Sequence, residues 1–227
     1  MKEGYGGYGG QVQRGVIVLL ALLALMVGTA ASAGPVPKAT PSSAPASTVL
    51  VLGDSLSAGY GLAASQGWVA LTAHKMATSH PRWKMVNASI SGETTAGGAA
   101  RIAAELKRHR PAVVVVELGA NDGLRGLPLA QTRANLERIV RLSQQAGARV
   151  LLLGMRMPPN FGAAYTQGFE ANYRDLARKY RTGLLPFFLA PVAGDRGNFQ
   201  ADNLHPTAAA QPRLRDHVWP KLAPLLD

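Results

Sequence analysis

What most constrains this chain is an alternation of short, almost wholly apolar runs with longer stretches of helical spacing. Residues 48–53 (TVLVLG), 84–88 (KMVNA), 112–118 (AVVVVEL), 149–155 (RVLLLGM) and 184–188 (LLPFF) read as strands. Their nearly continuous apolar character is that of strands covered on both faces. Between them, residues 67–79, 94–110, 129–146 and 164–180 are long enough and patterned enough for helices, and Leu129, Leu136, Ile139 and Val140 form one apolar stripe in the third. Gly147 stands where a glycine ends a helix. Strand and helix repeated in this order predict a central, mostly parallel five-stranded sheet with helices on both faces, a three-layer α/β/α sandwich. Ligands of open sheets of this kind bind beyond the carboxyl ends of the strands, which is where chemistry is to be sought.

The folded domain is expected to span 48–227. Ahead of it, Lys2 and Arg14 precede an uncharged stretch, 15–33, that is strongly apolar over 16–27 and ends in Ala31-Ser32-Ala33. This is the pattern of a secretory signal peptide over 1–33, and the expectation is an exported protein, periplasmic or secreted. A retained membrane anchor is the competing reading, although the apolar run falls short of the roughly 20 residues that a bilayer-spanning helix needs. Residues 34–47, dominated by Pro, Ala, Ser and Thr, have the composition of a flexible linker. The sequence holds no cysteine, which excludes disulfides, thiolate metal sites, lipoprotein attachment and a cysteine nucleophile. With 47% hydrophobic and 16% charged residues, the chain suits one globular domain stabilised by packing. Its formal charge of +11 is spread along the sequence instead of forming a block. The expectation is therefore solvated helix faces and at most transient contact with an anionic membrane, with no nucleic acid as partner and a monomeric state.

The first strand runs into Gly53-Asp54-Ser55-Leu56-Ser57-Ala58-Gly59-Tyr60-Gly61, which puts Ser55 at the strand end where a nucleophile faces a cleft. Three glycine-rich motifs fail here on particular residues. Ala64 stands where a dinucleotide fingerprint needs its third glycine, no Gly-Lys-Ser/Thr of a P-loop is present, and Ser57 occupies the second glycine of a G-x-S-x-G elbow. Near the other end, Asp202-Asn203-Leu204-His205-Pro206 sets a carboxylate three residues before an imidazole. A serine hydroxyl needs such a base, and the base needs a carboxylate to fix its tautomer. By itself this spacing would equally suit a solvated Asp and a capping His. His74, His80, His109 and His217 fall in helices or at their ends, where surface roles are expected, and no H-E-x-x-H or similar spacing points to a metal.

Taken together, four blocks in this order resemble those of the GDSL, or SGNH, hydrolase family. They are Gly53-Asp54-Ser55-Leu56, Asn87-Ala88-Ser89-Ile90-Ser91-Gly92, Gly119-Ala120-Asn121-Asp122 and Asp202-Asn203-Leu204-His205-Pro206. Gly123-Leu124-Arg125-Gly126, Met157-Pro158-Pro159-Asn160 and Leu185-Pro186-Phe187-Phe188 extend the likeness to the thioesterase, arylesterase and lysophospholipase branch. The resemblance implies a flavodoxin-like sandwich, a triad of Ser55, Asp202 and His205, and an oxyanion hole built by Ser55, Gly92 and Asn121, with no cofactor. Many relatives carry glycine where Asn203 stands, and asparagine reaches left-handed backbone more readily than most residues. Asp54 is expected to order its loop and not to react. The implied substrate is a small ester or thioester with an acyl chain, for which Leu124, Leu127 and Pro128 are the expected lip and residues 157–161, Pro159 among them, with Tyr165 the opposite wall. The alternatives are a carbohydrate O-acetyl esterase, which would want a smaller and more polar acyl site, and a non-catalytic lipid- or glycan-binding relative.

Overall fold

A computed structural model describes residues 46–227. The signal segment 1–33 lies outside the described residues, as does the linker 34–47 apart from its last two positions. Strand β1 is Ser47–Gly53, followed by a single helical turn, α1 (Ser55–Ala58), and then α2 (Trp68–Ser79) and β2 (Trp83–Asn87). The chain continues through α3 (Thr95–His109), β3 (Val113–Glu117), the short α4 (Ala120–Leu124), α5 (Leu129–Gln145), β4 (Arg149–Leu153), α6 (Ala163–Tyr180), β5 (Gly183–Leu185) and α7 (Gln211–Leu222). All five strands are parallel, in the order β2-β1-β3-β4-β5. Helices α3, α5 and α6 pack in sequence on one face, and α2 and α7 pack together on the other.

The core follows from the apolar runs. Val49 to Leu52 of β1 and Val113 to Val116 of β3 are sealed from solvent between the two helical layers. Each such side chain contributes about 1.5–3 kcal/mol on burial. The edge strand β2 departs from the expectation of strands covered on both faces, since all five of its residues keep some exposure. With a neighbour on one side only, it lacks the cover that the central strands receive.

The strand order reverses at β1 and β3. The chain leaves β1 toward β2 on one side and returns to β3 on the other, so a crevice opens beyond the carboxyl ends of these two strands. Local chemistry fixes the ends of the neighbouring helices. Thr94 caps α3, Lys107, Arg108 and His109 occupy its last turn where cations meet the negative end of the helix dipole, and Gly147 takes φ +84 just past α5. Gln211, at the start of α7, accepts from the first backbone N–H of α2 at 2.9 Å, so the two helices of that layer are joined by a cap as well as by packing.

Candidate active site

Ser55 is the first residue of α1, and the turn is shaped by the residue before it. Asp54 is fully buried, and its Oδ1 accepts from Leu56 N at 3.0 Å, capping the turn as expected of a residue that orders the loop. His205 arrives from the far end of the chain, with its Nε2 2.8 Å from Ser55 Oγ. Its Nδ1 lies 2.6 Å from Asp202 Oδ2. The other carboxylate oxygen of Asp202 accepts from the backbone of Leu204 at 2.9 Å and of His205 at 3.0 Å, a one-turn wrap that requires Asn203 at φ +62. The hydrogen bond from His205, with those two N–H groups, holds the Asp202 carboxyl far below the usual carboxylate range. It therefore stays ionised at any pH where His205 can act as a base.

Asn121 enters from α4, beyond β3. Gly119, just ahead of it, has φ +120, and a Cβ there would stand 2.2 Å from the Tyr173 hydroxyl. Only glycine lets the chain turn this close to α6. Tyr173 is buried and donates to Leu118 O at 2.9 Å, and the buried Asp122 accepts from Thr95 N at 2.8 Å and from the Thr95 hydroxyl, which pins α4 to the start of α3. The Asn121 amide nitrogen lies 3.2 Å from Asp54 Oδ2 and 3.0 Å from Glu93 O. Gly92 has φ +80 with open space over its Cα, and Arg125 donates to its carbonyl at 3.2 Å.

The cleft above Ser55 holds about 220 Å³. Its walls include Leu124, Met155, Met157, Pro158, Leu189 and Leu204, beside Ser55, Asn121 and His205. Of the expected substrate-contacting residues the structure brings Leu124, Met157 and Pro158 to this wall. Tyr165 instead donates to Leu127 O at 2.8 Å and fastens the loop from behind, while Leu127, Pro128 and Pro159 stay off the lining because the chain turns at α4 and at Pro158 present their neighbours. Met155, Leu189 and Leu204 were not singled out from the sequence; the last two lie between β5 and α7, where no periodicity marks an inward face. His217 also differs from a plain surface residue, since its Nε2 reaches Phe187 O at 3.0 Å across the α7 packing. Among the described residues no cluster of three or more His, Asp or Glu side chains is arranged to hold a metal.

Residues 51–212 match the model of the GDSL-like lipase/acylhydrolase family. The chain is 51% identical to esterase TesA of Pseudomonas aeruginosa over 81% of its own length and 91% of that protein. It is 44% identical to thioesterase 1/protease 1/lysophospholipase L1 of Escherichia coli K12, over 81% of this chain and 87% of the relative. Among solved structures, the psychrotrophic esterase EstA from Pseudoalteromonas sp., inhibited by monoethylphosphonate, superposes with a TM-score of 0.75 at 40% identity, covering 79% of this chain and 98% of that one.

Proposed function

Because the chain belongs to the GDSL-like lipase/acylhydrolase family, we propose that it hydrolyses carboxylic esters and thioesters through an acyl-enzyme on Ser55. The observation that carries this reading is the continuous relay from Ser55 Oγ to His205 Nε2 at 2.8 Å and from His205 Nδ1 to Asp202 Oδ2 at 2.6 Å. Ser55 Oγ attacks the carbonyl carbon while His205 Nε2 takes its proton, and the ionised Asp202 steadies the imidazolium. Negative charge then builds on the carbonyl oxygen, for which the N–H groups of Ser55 and Gly92 and the Asn121 amide are the donors. Each donor of this kind is worth about 2.7–4 kcal/mol. In the resting site the amide hydrogens of Asn121 are directed to Asp54 and Glu93, so one of them turns to the oxyanion as charge develops. His205 returns its proton to the leaving alcohol or thiol, the C–O or C–S bond breaks, and a water activated by the same histidine releases the acid.

The walls of methionine, leucine and proline suit a hydrocarbon tail, and they disfavour a carbohydrate O-acetyl esterase, whose acyl site would be small or polar. The Escherichia coli relative is named as a thioesterase and lysophospholipase, which supports acyl thioesters and lysophospholipids as substrates. The exposed large hydrophobic side chains among the described residues are Tyr60, Ile90 and Leu204 on connecting segments and Leu124 at the end of α4, and Leu124 and Leu204 line the cleft itself. Arg125 stands exposed beside Leu124, and Arg156 and Arg196 stand exposed in the segments that follow β4 and β5. With the formal +11 of the chain, this supports brief contact between the cleft mouth and an anionic phospholipid surface. The reading also includes export of a monomer, directed by the segment 1–33.

The test is hydrolysis of p-nitrophenyl acetate, butyrate, octanoate and palmitate, and of palmitoyl-CoA, by the chain and its Ser55→Ala variant. Turnover by the first and background rates for the second are expected, with the longer chains preferred over acetate. Equal rates in the two proteins, or none in either, would sink the Ser55 mechanism.

A further inference from the structure

Beneath the nucleophile lies a polar group to which the acyl-transfer steps assign no task. Glu117 ends β3 directly opposite Gly53 of β1, the residue before Asp54, and both acids are fully buried and act on each other's charge. Two such carboxylates removed from water do not both ionise, because each charge loses its hydration and repels the other. The donors in the structure decide which keeps its charge. Asp54 receives one on each oxygen, Leu56 N on Oδ1 and the Asn121 amide on Oδ2. Glu117 has one well-formed donor, the Ser57 hydroxyl at 2.7 Å on Oε2, with the Asp54 backbone N–H as a weaker neighbour, and its Oε1 is shut from solvent with no hydrogen-bond partner. An unpartnered buried carboxylate oxygen is costly, whereas a protonated one supplies the donor that this pair lacks.

We propose that Glu117 is a positioning residue for the acyl transfer: as a neutral carboxylic acid it donates its O–H to Asp54, fixing the carboxylate that caps the turn of Ser55 and holds the Asn121 amide. Burial raises both acids, Asp54 to about 6 and Glu117 well above its ordinary value, which agrees with one proton residing on Glu117 near neutrality. The Tyr173 hydroxyl on α6, raised first by burial, also faces these acids, and His205 on the last loop lowers the Asp54 acid. One negative charge here favours the imidazolium that His205 becomes when Ser55 attacks; a second would oppose the oxyanion. The inference rests on Ser55 as the nucleophile and adds a part to that site.

The experiment compares kcat and KM across pH for wild type, Glu117→Gln and Glu117→Ala with p-nitrophenyl butyrate, and records infrared spectra of wild type and Glu117→Gln near pH 7. The alanine variant strands Asp54, and its kcat is expected to fall on the order of 100-fold with KM little changed, as for a catalytic group displaced without loss of substrate binding. Glutamine keeps an N–H for Asp54 and an oxygen for Ser57, and is expected to recover at least about tenfold of that loss. Wild type should show a protonated-carboxyl C=O band that Glu117→Gln lacks. A fall in the alanine variant smaller than about tenfold, no recovery by glutamine, or the same infrared band in both proteins overturns the proposal. If the alanine variant does not fold, the glutamine kinetics and the band decide alone. Fluorophosphonate labelling of wild type separates the two readings: a protein not labelled at Ser55 defeats the proposed mechanism, while the band still reports the Glu117 proton.

Discussion

Replacing Asn203 with valine puts a number on the turn that joins the acid and the base. Asn203 sits at φ +62, and only with the chain bent this way does Asp202 Oδ1 accept from both Leu204 N and His205 N. Left-handed backbone costs a residue with a Cβ about 1–2 kcal/mol, asparagine the least and β-branched valine the most. If the fold holds the turn, that strain is lost from global stability, and at about 2–4 °C per kcal/mol for a domain of this size the unfolding midpoint falls by about 2–8 °C. If instead the turn relaxes, Asp202 loses its two backbone donors and the imidazole its alignment, and at about 1.4 kcal/mol per decade the same 1–2 kcal/mol lowers kcat by roughly 5- to 30-fold. Asn203→Gly carries no such strain and is expected to stay within about 1 kcal/mol of wild type. Thermal melts and ester turnover on the three proteins measure both effects. A valine variant that matches wild type in midpoint and in kcat refutes the argument.

Three more perturbations have definite signs. Because burial raises the Asp54 acid from 3.8 to about 6, its protonated form favours the fold, a contribution present below pH 4 and lost as pH rises to 6. Asp54→Asn removes that loss, so urea melts should show the variant gaining on wild type between pH 4 and 6, and a constant difference would contradict the raised acid. Tyr173→Phe deletes the donor to Leu118 O and is expected to cost about 1 kcal/mol in urea unfolding, with no change in stability counting against the bond. Leu124→Ala trims the cleft wall, where each methylene contact is worth at most about 0.8 kcal/mol, so kcat/KM should drop more for octanoate than for acetate. Equal drops would place the acyl chain elsewhere.

The sequence exposed the parts of this fold that repeat and hid the parts that depend on direction. Strands β1, β3 and β4 are legible because uninterrupted apolar runs have few other uses, and the helices α2, α3, α5 and α6 begin and end within a few residues of their expected bounds. Helix α7 was expected only through His217 and its bounds escaped, because Pro212 and Pro220 break its pattern, although proline is tolerated in a first turn and Pro220 falls near the last. The relay of Ser55, Asp202 and His205 was readable through the resemblance of the four blocks, since an Asp three residues before a His has other uses when taken alone. The cleft walls were not, because a loop's composition does not say which side chain turns inward: Leu204 does and Tyr165 does not. Glu117 was least visible of all, a single acid closing a run of valines, whose burial depends on Gly53 and Asp54 across the sheet.

The distance along the chain between the nucleophile and its base has a kinetic meaning. Ser55 and His205 are 150 positions apart and meet only when the segment after β5 docks, while β1 and β3 are already paired through nearer neighbours. Closing a loop of that length before other contacts exist is entropically unfavourable, so the relay forms after the sheet and as its product. A chain that has acquired its helices and strands is thus still inert toward esters until its last fifth is seated. Esterase activity therefore dates the end of folding, where circular dichroism would date its beginning.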